Sequence, residues 1–386
     1  MPAPLIAFVN DITGLAGSGC QLLWSRTARH LQQTGGARIA IAFRNAARTE
    51  MPEVRELLDG GALFDVETST ARWPARLARR ILRRPPVDPQ SGTVSWLAAL
   101  RPDLVLINQS AWVGVDLWGP RLAAHGLRFA TLSHCVDLHM WPGDERNRAL
   151  RAGFAGAARN FVVSRGNQRL LETMLAEPLP RSAAAFNPYR VDFAAPFAWP
   201  ATTAPLKLAC VARLFPPAKG QDLILQVLAR DEWRGRDLRV TFAGDGPHGE
   251  ALRRLAVSLG VADKVEFAGH VSDIREIWRD HHALLLPSRF EGMAIAVVEA
   301  LLSGRPVITT DLADNRTYVQ EGETGFIAET PTVAAVAAAM ERAWQARGQW
   351  QEMGATAHAR AREFFPREPE VVFAAELLAL ARDRTP

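Results

Sequence analysis

The chain alternates short apolar runs rich in β-branched residues with longer amphipathic segments, and it does so in two separate series. This alternation is typical of strand-helix units, which build parallel sheets when they repeat. With 386 residues, the chain is long enough for two domains that each bury a core. The first series predicts strands at Leu5 to Val9, Ile39 to Phe43, Leu104 to Ile107, Arg128 to Leu132 and Asn160 to Val163. The second series predicts strands at Lys207 to Val211, Leu238 to Ala243, Val265 to Ala268, Ala283 to Leu286 and Pro306 to Thr309.

The stretch between the two series is rich in proline, alanine and threonine. It runs from Asn187 to Pro205, and its composition predicts a linker and hinge between the domains. A last segment, Glu368 to Arg382, follows Pro366 and is predicted to be helical. Paired Rossmann-like domains bind ligands where the carboxyl ends of their strands face a crevice, so we expect the site in the cleft between them.

Composition excludes several classes of protein. Hydrophobic residues make up 48% and charged residues 22% of the chain, which indicates a globular protein and not a disordered one. No run approaches the roughly 20 apolar residues of a membrane-spanning helix, and the start MPAPLIAFVN lacks a basic leader, so a cytoplasmic location is predicted. The three cysteines form no CxxC pair, and therefore neither a zinc site nor a disulfide framework is expected. Aromatic residues are not interleaved with the basic ones, which disfavours nucleic-acid binding.

The most informative segment contains two glutamates separated by seven residues, in PSRFEGMAIAVVEALLSGRPVI. Glu299 is the only charge on an otherwise apolar predicted helix, and burying a carboxylate is costly unless donors such as the two hydroxyls of a sugar diol bind it. Glu291 precedes the helix, where exposed N–H groups and the helix dipole favour a phosphate. The structural alternative is that Glu299 pairs with a core arginine and Glu291 caps the helix.

Two further motifs follow predicted strands of the second series. Arg213 and Lys219 lie in ARLFPPAKGQD, where two cations before a helix would neutralise a diphosphate. Gly244 and Gly269 end their strands, and a glycine allows a flat base to approach the backbone closely. The alternatives are two solvated charges and two ordinary tight turns.

The first series carries a glycine-rich loop and a histidine after a strand. The loop GLAGSG has the wrong spacing for a dinucleotide fingerprint, so Gly17, Ser18 and Gly19 are candidates to contact a donor phosphate or an acceptor. His134, in SHCVD, is expected to face the same cleft, with a purely structural histidine as the alternative.

A basic stretch at residues 71–84 places Trp73, Leu77 and Ile81 on one helical stripe and arginines on the other faces. This pattern predicts a helix that lies on an anionic membrane or holds an anionic acceptor. An exposed helix that packs its stripe on the domain is the alternative.

The order of these motifs resembles a known family. ARL…KGQD, AGDGP, VEFAGHVSD, LLLPSRFEGMAIAVVEALLSGRPVI and DNRTYVQEGETGF together resemble the second domain of retaining glycosyltransferases of the family 4 type, in glycosyl transferases group 1. The resemblance covers residues 205–330 and reaches the first series through GSGCQLLWSRTARHL, RPDLVLINQ, WPGDE and FVVSRGN. It implies the GT-B fold, an α/β architecture of two Rossmann-like domains whose parallel sheets face a central cleft. The implied domains are an acceptor-binding domain at 1–190, a nucleotide-sugar-binding domain at 205–365 and a helix at 366–386 that crosses back to the first domain.

The resemblance also implies residue roles. Arg213 and Lys219 would hold the donor diphosphate, Glu299 the ribose hydroxyls, and His134 would lie close to the reacting sugar. Glu291 would bind the donor sugar and β-phosphate together with the backbone of Gly292, Met293 and Ala294. The base would lie against the strand-end loop of Gly269, His270 and Val271.

Two departures from the family pattern leave the sugar and the acceptor open. The chain has ADNRT at 313–317 where the family often has Gly-Gly-x-x-Glu, and it has Gln21 where an acidic residue is common.

By this resemblance, the chain is expected to transfer a hexose-type sugar, with retention and without a metal or other cofactor, from a UDP- or GDP-linked donor to a hydroxyl acceptor. The expected acceptor is a glycan or glycolipid precursor, and a peripheral contact with an anionic membrane through 71–84 is a further expectation. An epimerase or phosphorylase on the same fold, or a non-catalytic nucleotide-sugar binder, are the alternatives.

Overall fold

The computed structural model of the protein describes residues 2–11, 19–43, 51–66, 91–110, 112–201 and 205–383. The chain divides into two compact units. Unit 1 comprises Met1–Pro188 and Glu368–Pro386, and unit 2 comprises Tyr189–Arg367.

Unit 1 contains a seven-stranded sheet in the order β3-β2-β1-β4-β5-β6-β7, and every neighbouring pair is parallel. Its strands are β1 (Leu5–Asn10), β2 (Arg38–Phe43), β3 (Leu63–Val66), β4 (Leu104–Gln109), β5 (Phe129–Ser133), β6 (Asn160–Val162) and β7 (Ser182–Ala184). Its helices are α1 (Gly19–Gln33), α2 (Pro52–Asp59), α3 (Ser91–Leu100), α4 (Val115–Ala124), α5 (Asp144–Gly156), α6 (Arg165–Leu175) and, from the end of the chain, α16 (Pro369–Arg382).

Unit 2 contains a six-stranded parallel sheet in the order β10-β9-β8-β11-β12-β13. Its strands are β8 (Leu206–Val211), β9 (Leu238–Ala243), β10 (Val265–Gly269), β11 (Ala283–Leu286), β12 (Val307–Thr310) and β13 (Gly325–Ala328). Its helices are α7 (Pro216–Lys219), α8 (Gln221–Leu228), α9 (Asp231–Arg234), α10 (Gly249–Ser258), α11 (Ile274–Asp280), α12 (Ile295–Leu302), α13 (Asn315–Tyr318), α14 (Val333–Gln345) and α15 (Trp350–Phe364).

All ten predicted strands and the predicted C-terminal helix are present, and three strands were missed. The missed strands are β3, β7 and β13, which have only three or four residues each and lie at sheet edges. Edge strands of this length carry little apolar periodicity: β3 contains Asp65, β7 is built from serine and alanine, and β13 begins with Gly325.

The central strands are buried along their whole length, and β1 and β4 become polar only at their carboxyl ends. All six residues of β1 are buried, as are all six of β4 and all four of β11. A fully buried parallel strand reads as a continuous apolar run and not as an alternating one, which is the pattern the sequence shows.

Each sheet reverses its strand order once, and ligands of open parallel sheets generally bind at the edge where this reversal occurs. The neighbours β1 and β4 flank the reversal in unit 1, and β8 and β11 flank it in unit 2. Connections leave these strand pairs toward opposite faces, so a crevice opens at their carboxyl ends. The segments that follow β8 and β11 contain Lys219 and Glu291.

The boundary between the two units, after Pro188, lies at the start of the predicted linker, and residues 189–201 of that stretch belong to unit 2. The buried guanidinium of Arg305 donates hydrogen bonds to the carbonyls of Ala198 (2.7 Å) and Phe197 (3.4 Å), and also to those of His281 and Trp278. The ring of Trp199 lies 5.3 Å from the same guanidinium. The proline and alanine content therefore correctly indicated irregular backbone. At residues 197–199 this backbone is held by Arg305, which lies about a hundred residues further along the chain.

The C-terminal helix α16 lies in unit 1 and packs on α1. Phe373 meets Phe161 edge to face at 4.9 Å, and the hydroxyl of Thr27 donates to the carbonyl of Glu370. In the described residues, no helix combines the length and the apolar character needed to cross a bilayer.

Replacing Arg305 tests how firmly residues 197–199 are held. R305A removes the donor to several buried carbonyls and leaves a cavity, so the free energy of unfolding is expected to fall by about 3 kcal/mol or more. R254A is the control, since Arg254 is 74% exposed and pairs with Glu250 at 3.7 Å, and it is expected to change the value by less than about 1 kcal/mol. Urea unfolding followed by circular dichroism measures both, and equal small effects would contradict the role of Arg305.

Candidate functional site

Lys219 lies at the end of a short helix, in a turn that packs against the loop after β11. Helix α7 ends at Lys219, and Gly220 adopts a left-handed conformation (φ 67°) before α8 begins. A Cβ on Gly220 would overlap the carbonyl oxygen of Pro287, so only glycine allows the two segments to approach this closely. The turn therefore presents Lys219 directly to the residues that follow Pro287.

The carboxylate of Glu291 accepts from two side chains at once. Lys219 Nζ lies 2.6 Å from Glu291 Oε1, and Ser288 Oγ donates to the same oxygen at 2.8 Å. Ser288 is itself buried, and its carbonyl accepts a hydrogen bond from Thr310 Oγ1 at 2.7 Å. An ion pair with an additional hydrogen bond fixes the position of the carboxylate more firmly than the pair alone would.

Glu299 is buried on α12, with 1% of its surface exposed. Its Oε1 accepts from the backbone N–H of Arg190 at 3.0 Å, and the Nε of Arg190 lies 3.8 Å away. The side chain of Arg190 is 42% exposed, so this arginine, which pairs with Glu299, lies at the surface and not in the core. The core arginine of this region is Arg305, which bonds to backbone carbonyls.

Arg213 extends from the carboxyl end of β8 and is exposed. Its guanidinium lies 5.2 Å from the ring of Phe215, which in turn packs against His248. The Arg213 carbonyl accepts from Gln221 Nε2 at 2.8 Å, which ties this loop to the first residue of α8. The cation is thus held beside the Lys219 turn by an aromatic ring and a backbone contact.

The two glycines that end strands, Gly244 and Gly269, differ in whether the fold leaves room for a side chain. Gly244 has φ 144°, and a Cβ there would overlap the carbonyl of Ala212, so packing within unit 2 already requires a glycine. Gly269 also has a positive φ (68°), but among the described residues a Cβ there would come no closer than 3.6 Å, to Asp245 Oδ1. His270 is exposed and Val271 half-buried just beyond the edge strand β10.

Helix α12 begins one residue after Ala294, and within the described part of the chain no side chain caps its N-terminus. Gly292, Met293 and Ala294 are buried between Glu291 and this first turn. Burial raises the pKa of the Cys210 thiol to about 12, and the charge of Lys219 opposes that shift. Cys210 is therefore a protonated core residue, and Cys20 and Cys135 are also unbridged.

In unit 1, His134 belongs to a row of buried polar side chains at the carboxyl edge of the sheet. The register of β1 and β4 sets Asn10 opposite Asn108, and Asn108 Nδ2 donates to Asn10 Oδ1 at 2.9 Å. Asn108 Oδ1 is thereby left as the acceptor, and it lies 2.8 Å from His134 Nε2. His134 therefore carries its proton on Nε2.

Burial lowers the pKa of His134 to about 3, although a hydrogen bond with Asn187 opposes the shift. The imidazole is neutral at physiological pH, because desolvation disfavours the charged form. A neutral ring can orient a hydroxyl group without adding positive charge to the site.

For the other positions singled out in the first sequence series, the described residues give no evidence of a role in ligand binding. Gly19 begins α1, whereas Gly17, Ser18 and the basic stretch 71–84 lie outside the described residues. Gln21, at the position where the family is often acidic, is fully buried and accepts from the indole N–H of Trp24 at 2.8 Å. Gln21 thus has a packing role in the core.

The segment 313–317, where the chain departs from the family pattern, turns toward β12. Asn315 Nδ2 donates to Thr309 Oγ1 and to the carbonyl of Thr310, both at 3.1 Å. Arg316 bridges Asp311 (2.9 Å) and Glu329 (2.7 Å) at the surface. Asn315 thus bonds to Thr310, the residue whose hydroxyl holds the Ser288 loop.

Sequence reasoning missed Ser288, Asn108 and the pair formed by Asp222 and Arg289, which lies beside the Lys219 turn. Asp222 and Arg289 stand next to predicted site residues in sequence, but their partnership spans 67 positions. A search for opposite charges in the motifs KGQD and PSRFE could have suggested it.

A family model matches the residues that form most of unit 2. Residues 205–346 match the family described as glycosyl transferases group 1. Relatives include a D-rhamnosyltransferase, WbpZ, of Pseudomonas aeruginosa, which is 32% identical over 38% of this chain and 38% of its own length. A D-inositol 3-phosphate glycosyltransferase of Gordonia bronchialis is 27% identical over 67% of this chain and 61% of its own length. The chain spans about 40% of the length of the first relatives it matches.

Solved structures extend the similarity of fold to both units. HepE of Anabaena, solved with UDP and glucose, covers 97% of this chain and 99% of its own, with a TM-score of 0.76 and 15% identity. A glycosyltransferase of Rickettsia africae covers all of both chains with a TM-score of 0.74 and 16% identity. Residues 205–346 thus resemble group 1 glycosyl transferases in sequence, and the chain has the GT-B fold.

The lowered pKa of His134 predicts acid sensitivity. Its pKa is about 3 when folded and about 6.5 when unfolded, so below pH 6.5 the unfolded state binds more protons. The free energy of unfolding is expected to fall by about 2 kcal/mol between pH 7 and pH 5 from this residue alone. Burial also lowers the pKa values of His281 and His282, so these residues should further reduce the free energy of unfolding as the pH falls. H134Q should flatten the pH dependence in urea unfolding, and an unchanged slope would show that His134 is not buried in the neutral form.

Proposed function

We propose that the chain is a retaining glycosyltransferase of the family 4 type that moves a hexose-type sugar from a nucleoside diphosphate sugar to a hydroxyl acceptor. The observation that carries this proposal is the 2.6 Å contact between Lys219 and Glu291, beside a helix that buries Glu299. Lys219 is thus a cation that can bind a diphosphate, and Glu291 and Glu299 are carboxylates that can bind hydroxyl groups. All three lie on neighbouring segments of unit 2. The similarity to group 1 glycosyl transferases, and to structures solved in complex with UDP, supports the same interpretation.

The cations suit the leaving group. Breaking the bond from the sugar to the diphosphate builds negative charge on the phosphate oxygens, and positioned cations stabilise that charge in the transition state. Lys219, together with the exposed guanidinium of Arg213, would supply the positive charge that this stabilisation needs. The backbone at Gly292 to Ala294, ahead of α12, would add the positive end of the helix dipole. This set of groups is why we propose a reaction that needs no metal ion.

The carboxylates suit hydroxyl groups. An ionised carboxylate only accepts hydrogen bonds, so it binds sugar hydroxyls and repels phosphate oxygens. We assign Glu299 to the ribose and Glu291 to the donor sugar. Lys219 lies between a carboxylate and the expected phosphate position, and it would balance the charge of both. We assign the base to the edge formed by Gly269, His270 and Val271.

In unit 1, we assign His134 to a hydroxyl of the reacting sugar. Its ring is neutral and its tautomer is set by Asn108, so its orientation is fixed before a ligand binds. The acceptor is proposed to be a glycan or glycolipid precursor, and one relative is named a GDP-mannose-dependent phosphatidylinositol monomannoside mannosyltransferase.

Binding of a nucleoside diphosphate is the first test. Thermal unfolding is followed with UDP, GDP, ADP and dTDP in parallel. One diphosphate at 100 times its dissociation constant is expected to stabilise the protein by about 2.7 kcal/mol. E299A and K219A should each remove most of that stabilisation, because they delete the groups assigned to ribose and phosphate.

Two matched variants control this test. K207A deletes a lysine that pairs with Asp280 at 2.7 Å at the amino end of β8, and E250A deletes an exposed glutamate on α10. Both should keep the wild-type response to the diphosphate. A wild-type protein that responds to none of the four diphosphates would contradict the proposed donor site.

Transfer itself is tested with the sugar donor of the base that binds. K219A is expected to lower kcat by about 10²- to 10³-fold, because it removes one charge from the leaving-group site. Proton NMR of the product should show the same anomeric configuration as the donor, with equal rates in the presence of EDTA. An inverted product would refute the retaining mechanism, and wild-type turnover by K219A would refute the role of Lys219.

A further inference from the structure

A second ion pair lies beside the contact between Lys219 and Glu291 and joins the same two segments. Arg289 Nη1 and Nη2 donate to the two carboxylate oxygens of Asp222, at 2.7 and 2.8 Å. Asp222 lies three residues after Lys219, and Arg289 lies two residues before Glu291. A bidentate pair of this kind fixes both the distance and the angle between two segments.

The same arginine also binds the other side of the Lys219 turn. Arg289 Nη1 donates to the carbonyl of Pro216, at the start of α7, at 2.7 Å. The backbone N–H of Arg289 donates to the carbonyl of Ala218 at 2.7 Å. Lys219 is therefore bracketed by Arg289 contacts at positions 216, 218 and 222.

Arg289 is engaged in holding the turn and is not arranged to bind an anion. Its guanidinium is paired with the Asp222 carboxylate, and the hydrogen bond between them raises the pKa of Arg289. Its positive charge is therefore already balanced. Lys219 has a flexible four-carbon stem, so the place of its ammonium group depends on the backbone that carries it.

We infer that Arg289 and Asp222 are a positioning pair that aims Lys219 at the β-phosphate of the donor. This inference rests on the proposed function and adds to it two residues that act through Lys219. The pair is expected to set how much the second phosphate adds to the affinity for a nucleotide. It is not expected to affect binding of the nucleoside and first phosphate to the same extent.

The test compares nucleoside monophosphates with diphosphates by isothermal titration calorimetry, using UMP, UDP, GMP and GDP. For each base, the quantity measured is the dissociation constant of the monophosphate divided by that of the diphosphate. A high ratio means that the second phosphate adds much to the affinity. R289K keeps the charge and loses the fork, and D222N keeps the shape and loses the charge. Each is expected to lower the ratio by about tenfold while changing the affinity for the monophosphate by less than about threefold.

A matched arginine in unit 2 provides the control. Arg342 also donates to a carboxylate, that of Glu321 at 2.6 Å, and to a backbone carbonyl, that of Ile327 at 2.9 Å. R342K should leave the ratio within about twofold of the wild type. Circular dichroism and thermal unfolding of each variant confirm that it is folded.

A double-mutant comparison shows whether the pair acts through Lys219. In a K219A background, R289K should change the ratio by less than about twofold, since the group that it positions is absent. An additive effect would overturn the inference, and so would an equal loss of monophosphate and diphosphate affinity in R289K. A wild-type ratio in both R289K and D222N would overturn the inference and leave the proposed function intact. A wild-type protein that binds none of the diphosphates would overturn both.

Discussion

The contact between Lys219 and Glu291 is the interaction around which the site in unit 2 is built. Its two residues are 72 positions apart and meet because β8 and β11 are neighbours at the reversal of strand order in the sheet. The close packing of Gly220 on Pro287 then brings the two segments within hydrogen-bonding distance. Unit 2 thus uses ordinary sheet topology to place opposite charges side by side.

The polar groups of both units are fixed before any ligand arrives. Glu291 accepts from Lys219 and Ser288, Glu299 accepts from the backbone of Arg190, and His134 lies against Asn108. Electrostatic stabilisation is most effective when dipoles and charges need not reorganise during a reaction. The proposed transfer therefore depends on groups that the fold already holds in place.

Much of this arrangement could be predicted from particular residues. The apolar run around Glu299 predicted both a helix and a buried carboxylate, and the structure has both. The central strands were predicted because they are continuously apolar, whereas β3, β7 and β13 were missed because short edge strands have almost no pattern to detect. The proline-rich stretch after Asn187 was interpreted as a linker, but composition cannot show that Arg305 binds its carbonyls.

The sequence by itself determined the two series of strand-helix units, the strand ends that carry charged residues and the family resemblance of residues 205–330. These features are local, so periodicity and spacing along the chain express them. Only the tertiary structure decided that Asp222 pairs with Arg289, that residues 197–199 are held by Arg305 and that His134 is buried and neutral. Each of these depends on strand order and on desolvation, which arise from contacts between residues far apart in the chain.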